Sequence, residues 1–353
     1  MSKSSITPFS RLIISILIMG VFLSAICIFP GSAGQPSKIV TDMDGRSVEI
    51  PVPVEKVITL GSVPVQNSFI FTLGKGETIM NDLPESFKKQ GRWKYQYIFA
   101  PNLKNADSIQ ISTNQPSVEQ IIGMNPDLCF TMDKSTVELL EGSGIPVIYL
   151  SWVDDNDVKD LMTLLGEVYN KEEQASEYLT YFDNTIHQIS TIAETIPDNE
   201  RKKILYLSYK SMSVPHKIAD WWITKAGGIS VSNVSRPTES LETDPEQINQ
   251  WNPDVIIVSS ESDITGILND IQFSEITAVK NKAIYNGPFG AHIWANRGIE
   301  LPLMVMWTAK TVYPDKFKEI DLESEISDFY ENFFGYRITK DQINEILSGK
   351  AKI

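Results

Sequence analysis

The sequence predicts an α/β protein of two Rossmann-like lobes with mostly parallel sheets, joined by one long rigid connector helix. Three observations carry this expectation. From about Ile39 short β-branched runs alternate with longer amphipathic stretches, the rhythm of layered α/β folds rather than of sandwiches or bundles. One pattern occurs twice, at residues 115–127 and 243–254: a short helix with a glutamate near its start, an Asn-Pro-Asp turn, then a buried apolar run. Between the copies, from about 157 to 192, lies a helical pattern with few breakers and one broad apolar face.

The chain begins with Lys3 and Arg11, followed by an uncharged, almost wholly apolar run over 12–29 and small residues over 31–34. That is the plan of a secretion signal, or of an N-terminal anchor at the lower length limit for a bilayer span. Residues 1–34 are therefore set apart, and the remainder is expected to be extracytoplasmic. Cys27 argues little for lipidation, because Ile26 stands where a small residue is wanted.

The N-terminal lobe is expected over 38–155. It opens with a hairpin turning at Asp44-Gly45, since Asp-Gly tolerates the left-handed angles of such turns. Residues 57–60, 128–132 and 147–150 read as buried parallel strands, each announced by turn residues such as Asn125-Pro126-Asp127 and Gly144-Ile145-Pro146. The connector is expected over 156–195, interrupted near Gly166 and Asn170. The C-terminal lobe is expected over 200–353, with strands at 204–207, 255–259 and 283–285.

Composition narrows the function. With 353 residues, 42% hydrophobic and 22% charged, the chain is long enough for two ordinary domains. Its 31 basic and 45 acidic residues give a net charge of -14, the wrong sign for collecting phosphate backbones, so nucleic acid is not an expected partner. Beyond the signal only Cys129 remains, within an apolar run, and it reads as a small buried hydrophobe. There is no nucleophile elbow, phosphate loop or zinc-hydrolase helix, so an enzyme is not expected.

These features together resemble one family. The hairpin at 41–46 with the strand at 57–60, the helix and strand over 118–130, and Leu164-Leu165-Gly166-Glu167-Val168 through Tyr178 carry the likeness in the first half. Ala226-Gly227-Gly228 after Trp221 and Trp222, residues 245–258, Trp307-Thr308-Ala309-Lys310 and Tyr313-Pro314-Asp315-Lys316-Phe317 carry it in the second. The sequence is similar to the extracytoplasmic substrate-binding proteins of ABC importers for iron-siderophores, haem and cobalamin. The resemblance implies a monomer with no intrinsic cofactor, which captures a ligand between its lobes and delivers it to a permease dimer with ATPase subunits. The membrane would be met only through the permease or an N-terminal anchor. It also implies that a glutamate on each lobe, here Glu119 and Glu246, docks on the permease.

Ligands of open α/β sheets bind beyond the carboxyl ends of the strands. Those positions are Ser62 and Gln66, Asp133 and Lys134, and Trp152, then Tyr209 and Lys210, Ser260 and Glu261, and the segment 289–297. The stretch Arg92-Trp93-Lys94-Tyr95 reads as an exposed aromatic and basic loop suited to a bulky, partly anionic ligand. Trp294 and Arg297 fall where the resembled family places an aromatic and an arginine at the cleft. Of three histidines, His216 and His292 border the cleft and are candidates to complete a chelated metal, whereas His187 falls in the connector. No converging ligand set for a bare metal is evident. The candidate ligand-binding set is thus Trp93, Tyr95, Lys134, Trp152, Tyr209, His216, His292, Trp294 and Arg297. The expected ligand is an iron chelate, haem or a cobalamin-like molecule. The alternatives are an oxyanion such as molybdate or tungstate, served by Lys134, Arg236 and Arg297, or another chelate such as nickel. A small oxyanion asks for a closed shell of donors, a chelate for aromatic walls.

Overall fold

The computed structural model describes residues 36–110, 116–236 and 238–350. The expected signal or anchor at 1–34 lies outside the described residues, as does Gln115 at the head of the first repeated pattern. The described residues form one compact unit. No described helix is long and apolar enough to cross a membrane.

Two parallel sheets organise that unit. The first has three strands, Val57–Leu60, Leu128–Thr131 and Val147–Tyr149, side by side in that order. The second has four, in the order Ile284–Asn286, Val255–Val258, Lys203–Tyr206 and Ile229–Ser230. Strands such as Val255–Val258 are buried at every position, as helix-covered parallel strands must be. Every apolar run read as a strand is one, within a residue or two. The two-residue strands Ile229–Ser230, Ser213–Val214 and Leu241–Glu242 were not expected, because a strand that short has no period to read.

The repeated Asn-Pro-Asp turn has one physical explanation in both lobes. The helices Val118–Met124 and Pro245–Trp251 each stop at an asparagine in the left-handed region, Asn125 at φ 48° and Asn252 at φ 43°. Proline then prevents continuation. The aspartate pins the turn to the head of the neighbouring strand. Asp127 Oδ2 accepts the N–H groups of Glu55 and Lys56 at 2.8 and 2.9 Å, and Asp254 Oδ2 accepts that of Lys203 at 2.9 Å.

The segment expected as one connector over 156–195 is two helices, Asp155–Tyr169 and Glu172–Ala193. Asn170 at φ 52° separates them, and Lys38 donates to its side chain and to the Glu167 carbonyl. The pair packs closely because Gly166 lacks a side chain: a Cβ there would lie 2.7 Å from that of Ala175. The helix joining the lobes is Glu172–Ala193 alone.

The C-terminal lobe also does not keep to 200–353. The helix Leu322–Phe334 crosses back to the first lobe, where Phe334 meets Phe99 at 4.6 Å and Phe71 at 6.1 Å, and Tyr330 stacks on Phe99 at 5.2 Å. Lys94 reaches Glu345 in the helix Lys340–Leu347 at 2.8 Å. One hydrophobic core consequently runs through both lobes, from Val40 to Ile346.

Phe329, fully buried on this returning helix and packed on Tyr181 of the connector, tests that shared core. Phe329→Ala should cost about 3–5 kcal/mol. Unfolding followed by tryptophan fluorescence and by far-ultraviolet circular dichroism should remain one coincident transition. Two separated transitions would mean that the lobes are independent.

Candidate functional site

The carboxyl end of the first sheet faces a cavity of about 240 Å³, which His216 and the segment following the strand Ile284–Asn286 close from the second lobe. Ser62 and Val65 enter it from the start of the helix Val63–Thr72, directly after the first strand. Met132 and Trp152 follow the other strands of that lobe, and His216 follows the short strand Ser213–Val214. The remaining walls are the loop carrying Phe87, Gln90, Arg92 and Trp93, and the segment carrying His292, Ile293, Asn296 and Arg297.

The cavity is basic. The Arg92 guanidinium lies 4.4 Å over the Phe289 ring, and its Nη1 donates to the Ser259 carbonyl at 3.1 Å. Its Nε is buried without a partner, and no carboxylate is within ion-pairing distance among the described residues. Arg297 pairs with Glu239 at 2.6 Å. Burial lowers the pKa of both guanidiniums from the ordinary value, yet arginine stays charged.

Both imidazoles are neutral. Burial pushes His216 down to about 4, with Arg297 adding to it, and pushes His292 down to about 3, with Arg92 and His216 adding. Each keeps a buried Nδ1 without a partner, as does the Asn296 Oδ1. Trp93 packs on His292 with ring centres 5.5 Å apart, and the Trp152 indole donates to the Arg297 carbonyl at 2.7 Å. Two cations and several uncommitted polar atoms in one small buried space suit a compact anion.

Five of the nine expected contact residues meet here: Trp93, Trp152, His216, His292 and Arg297. The other four do not. Tyr95, expected in an exposed loop, is fully buried, with its hydroxyl donating to Glu345 and the Gln342 carbonyl. Trp93 is buried as well, so this stretch is part of the packing between elements rather than an exposed aromatic loop. Lys134 points outward and pairs with Asp44 at 2.7 Å, because Asp133 caps its helix and turns it to the surface. Tyr209 donates to Asp270 at 3.0 Å and packs on Phe273 within the second lobe. Trp294 is buried beneath the loop rather than beside the cavity. Arg236 is committed to Asp220 at 3.2 Å, alongside Ser230 and Ser232.

Val65, Phe87, Gln90 and Met132 were missed. Met132, directly after a strand, was open to the same rule that found Trp152. Phe87 and Gln90 had no signal, since only the tertiary path of their loop brings them near. Cys129 is buried, its thiol raised by burial to about 12, and is chemically idle. Among the described residues no three histidine, cysteine or acidic side chains are grouped to hold a metal ion. Glu119 and Glu246 are exposed at matching first-turn positions of the two short helices.

A second cavity, of about 630 Å³, shares Gln90 and Arg92 with the first and is lined by Ser259 and Ser260 after the strand Val255–Val258. Grooves of about 590 and 620 Å³ lie elsewhere, with charges partly spent internally, as in the 3.0 Å pair of Lys88 with Asp82.

Comparison with known proteins agrees with this architecture. The chain is 24% identical over 324 residues to the molybdate-binding protein MolA of Haemophilus influenzae, spanning 84% of this chain and 91% of that one. The solved structure of MolA bound to molybdate superposes with a TM-score of 0.76 at 22% identity, covering 86% of this chain and 99% of that one. A periplasmic solute binding protein from Veillonella parvula superposes with a TM-score of 0.77 at 25% identity, over 90% and 98%. The sequence pattern of the family described as periplasmic binding protein matches residues 99–291. With two parallel-sheet lobes closing on a cavity at their strand ends, the chain belongs to the periplasmic binding protein family, the extracytoplasmic substrate-binding components of ABC importers.

Proposed function

We propose that this binding protein captures a small tetrahedral oxyanion of the molybdate or tungstate kind and hands it to its permease. The observation that carries this is the pairing of Arg92 and Arg297 with two neutral histidines around about 240 Å³. That volume alone falls below the roughly 300–1,000 Å³ of sites for drug-sized ligands, but a cavity of about 630 Å³ shares Gln90 and Arg92 with it. The choice of an anion over haem, cobalamin or a siderophore chelate therefore rests on the two arginines rather than on size. The likeness to MolA, whose structure holds molybdate, supports the same class. Arg92 supplies a free Nε, and Arg297 would exchange Glu239 for the ligand. Unprotonated imidazole offers one N–H each, and Ser62, Gln90 and Asn296 complete the polar shell. Glu119 and Glu246 serve as the two handles on the permease, one per lobe, giving orientation more than affinity.

Calorimetric titration of the purified protein with molybdate, tungstate, sulfate, haem and a ferric siderophore checks the class. The oxyanions should bind and the large ligands should not; tight binding of haem alone refutes the reading. Arg92→Ala and Arg297→Ala should each weaken molybdate binding by about tenfold to a hundredfold, the range of a lost hydrogen bond to a charged group.

The imidazoles predict a pH dependence of the empty protein. Their folded pKa values, about 4 and 3, lie below the ordinary 6.5, so the unfolded chain binds more protons in that window. Stability is therefore full above pH 6.5 and falls with decreasing pH, by about 1.4 kcal/mol per pH unit for each imidazole. Replacing both by glutamine should flatten this limb in denaturant titrations between pH 6.5 and 4.5. Glu300, raised by burial, acts in the opposite sense but is common to both chains. An unchanged slope contradicts the buried neutral state.

Charge reversal of both Glu119 and Glu246 to lysine should abolish uptake while leaving the molybdate Kd unaltered. Undiminished uptake removes the docking role.

A further inference from the structure

The segment from Gly287 to Glu300 is almost wholly buried although it is neither helix nor strand. Glu300 lies beneath it, 1% exposed, and no cation is paired with it among the described residues. Its two oxygens accept consecutive backbone N–H groups, Oε1 from Ala291 at 2.8 Å and Oε2 from His292 at 2.9 Å. The Tyr330 hydroxyl donates to Oε1 as well. Gly290 leaves the space for this pair: a Cβ there would lie 2.1 Å from Glu300 Oε1 and 2.0 Å from the Tyr330 oxygen.

Two adjacent N–H groups on one carboxylate fix the backbone at His292, and with it the direction of the Cα–Cβ bond toward the cavity. Burial raises the carboxyl to about 7, and the donors around it work against that rise. The Tyr330 ring stacks on Phe99 of the first lobe at 5.2 Å. The same contact network thus joins the returning helix, the first lobe and the His292 backbone.

We infer that Glu300 and Tyr330 are positioning residues of the oxyanion site, which hold His292 on the cavity wall and key its loop to the first lobe. This rests on the oxyanion reading above. A carboxylate is needed because glutamine has one acceptor oxygen, and its NH₂ group would face an N–H donor.

The test is a double-mutant cycle read by molybdate calorimetry, with Glu300→Gln and His292→Ala alone and together. Glu300→Gln should raise the molybdate Kd about tenfold in the natural background and by less than about twofold in the His292→Ala background, as coupled neighbours behave. Equal losses in both backgrounds overturn the inference, since Glu300 would then act on stability at large. Hydrogen exchange of the empty protein supplies an arm that needs no ligand. Exchange at Ala291 and His292 should quicken in Glu300→Gln while Ile256 and Ile257 in the central strand stay protected; unchanged exchange at Ala291 and His292 overturns it. If the natural protein binds no molybdate, the proposed function falls and the exchange arm still decides the positioning. Should Glu300→Gln not fold, Tyr330→Phe keeps the carboxylate and the ring stack. It should then raise the Kd in the same background-dependent way, and a Kd unchanged from the natural protein overturns the inference.

Discussion

A buried stretch of chain without regular structure must still find a partner for its backbone N–H and carbonyl groups, and the segment from Gly287 to Glu300 depends on meeting that demand. Its partners come from every quarter of the fold. Gln96 donates to the Ala291 carbonyl, Trp222 to that of Ala295, Trp152 to that of Arg297, and Tyr178 of the connector to that of Ile299. Two of these donors, Gln96 and Trp152, belong to the opposite lobe. The cavity-facing side chains of this segment are held by the whole molecule rather than by their own neighbours, so the cavity and the interlobe packing are one construction.

The electrostatics of that construction run against the composition. The chain carries a net charge of -14, and at long range it repels an anion. Within the cavity the sign is reversed, because Arg92 has no carboxylate partner among the described residues, Glu239 alone lies on Arg297, and other acidic residues are spent elsewhere, Asp220 on Arg236 and Glu345 on Lys94. Short-range geometry in a poorly solvated space outweighs the diffuse surface charge, which salt screens. Composition argued against a polyanion and said nothing against a small anion.

How much was legible follows from which signals are local. The parallel strands were legible because helix-covered strands are apolar at consecutive positions, and the repeated turn because Asn, Pro and Asp each do a distinct local job at 125–127 and 252–254. The connector was half legible: Asn170 was visible as an interruption, but only its left-handed angle turns one helix into two. The aromatic residues were the least legible. Tyr95 and Trp294 stand on a short helix and in a loop, where no period separates a ligand wall from a core, and they proved to be packing residues. His292 and Arg297 were expected at the cleft by the strand-end rule, which concerns topology and survives ignorance of the loop path, and His216 as a histidine in a neighbouring loop; all three line the cavity.

The returning helix Leu322–Phe334 also bears on the order in which the protein is made. It covers the first lobe's helix Val63–Thr72 and fills the space beside Phe71 and Phe99, so the N-terminal half cannot complete its core from its own sequence. Contacts that span more than 200 residues close late in folding, and a chain emerging from its N-terminus gains them last. An exported polypeptide built in this way stays incomplete until nearly all of it has crossed the membrane. Its ligand site, which needs elements of both lobes, is therefore among the last parts of the chain to be assembled.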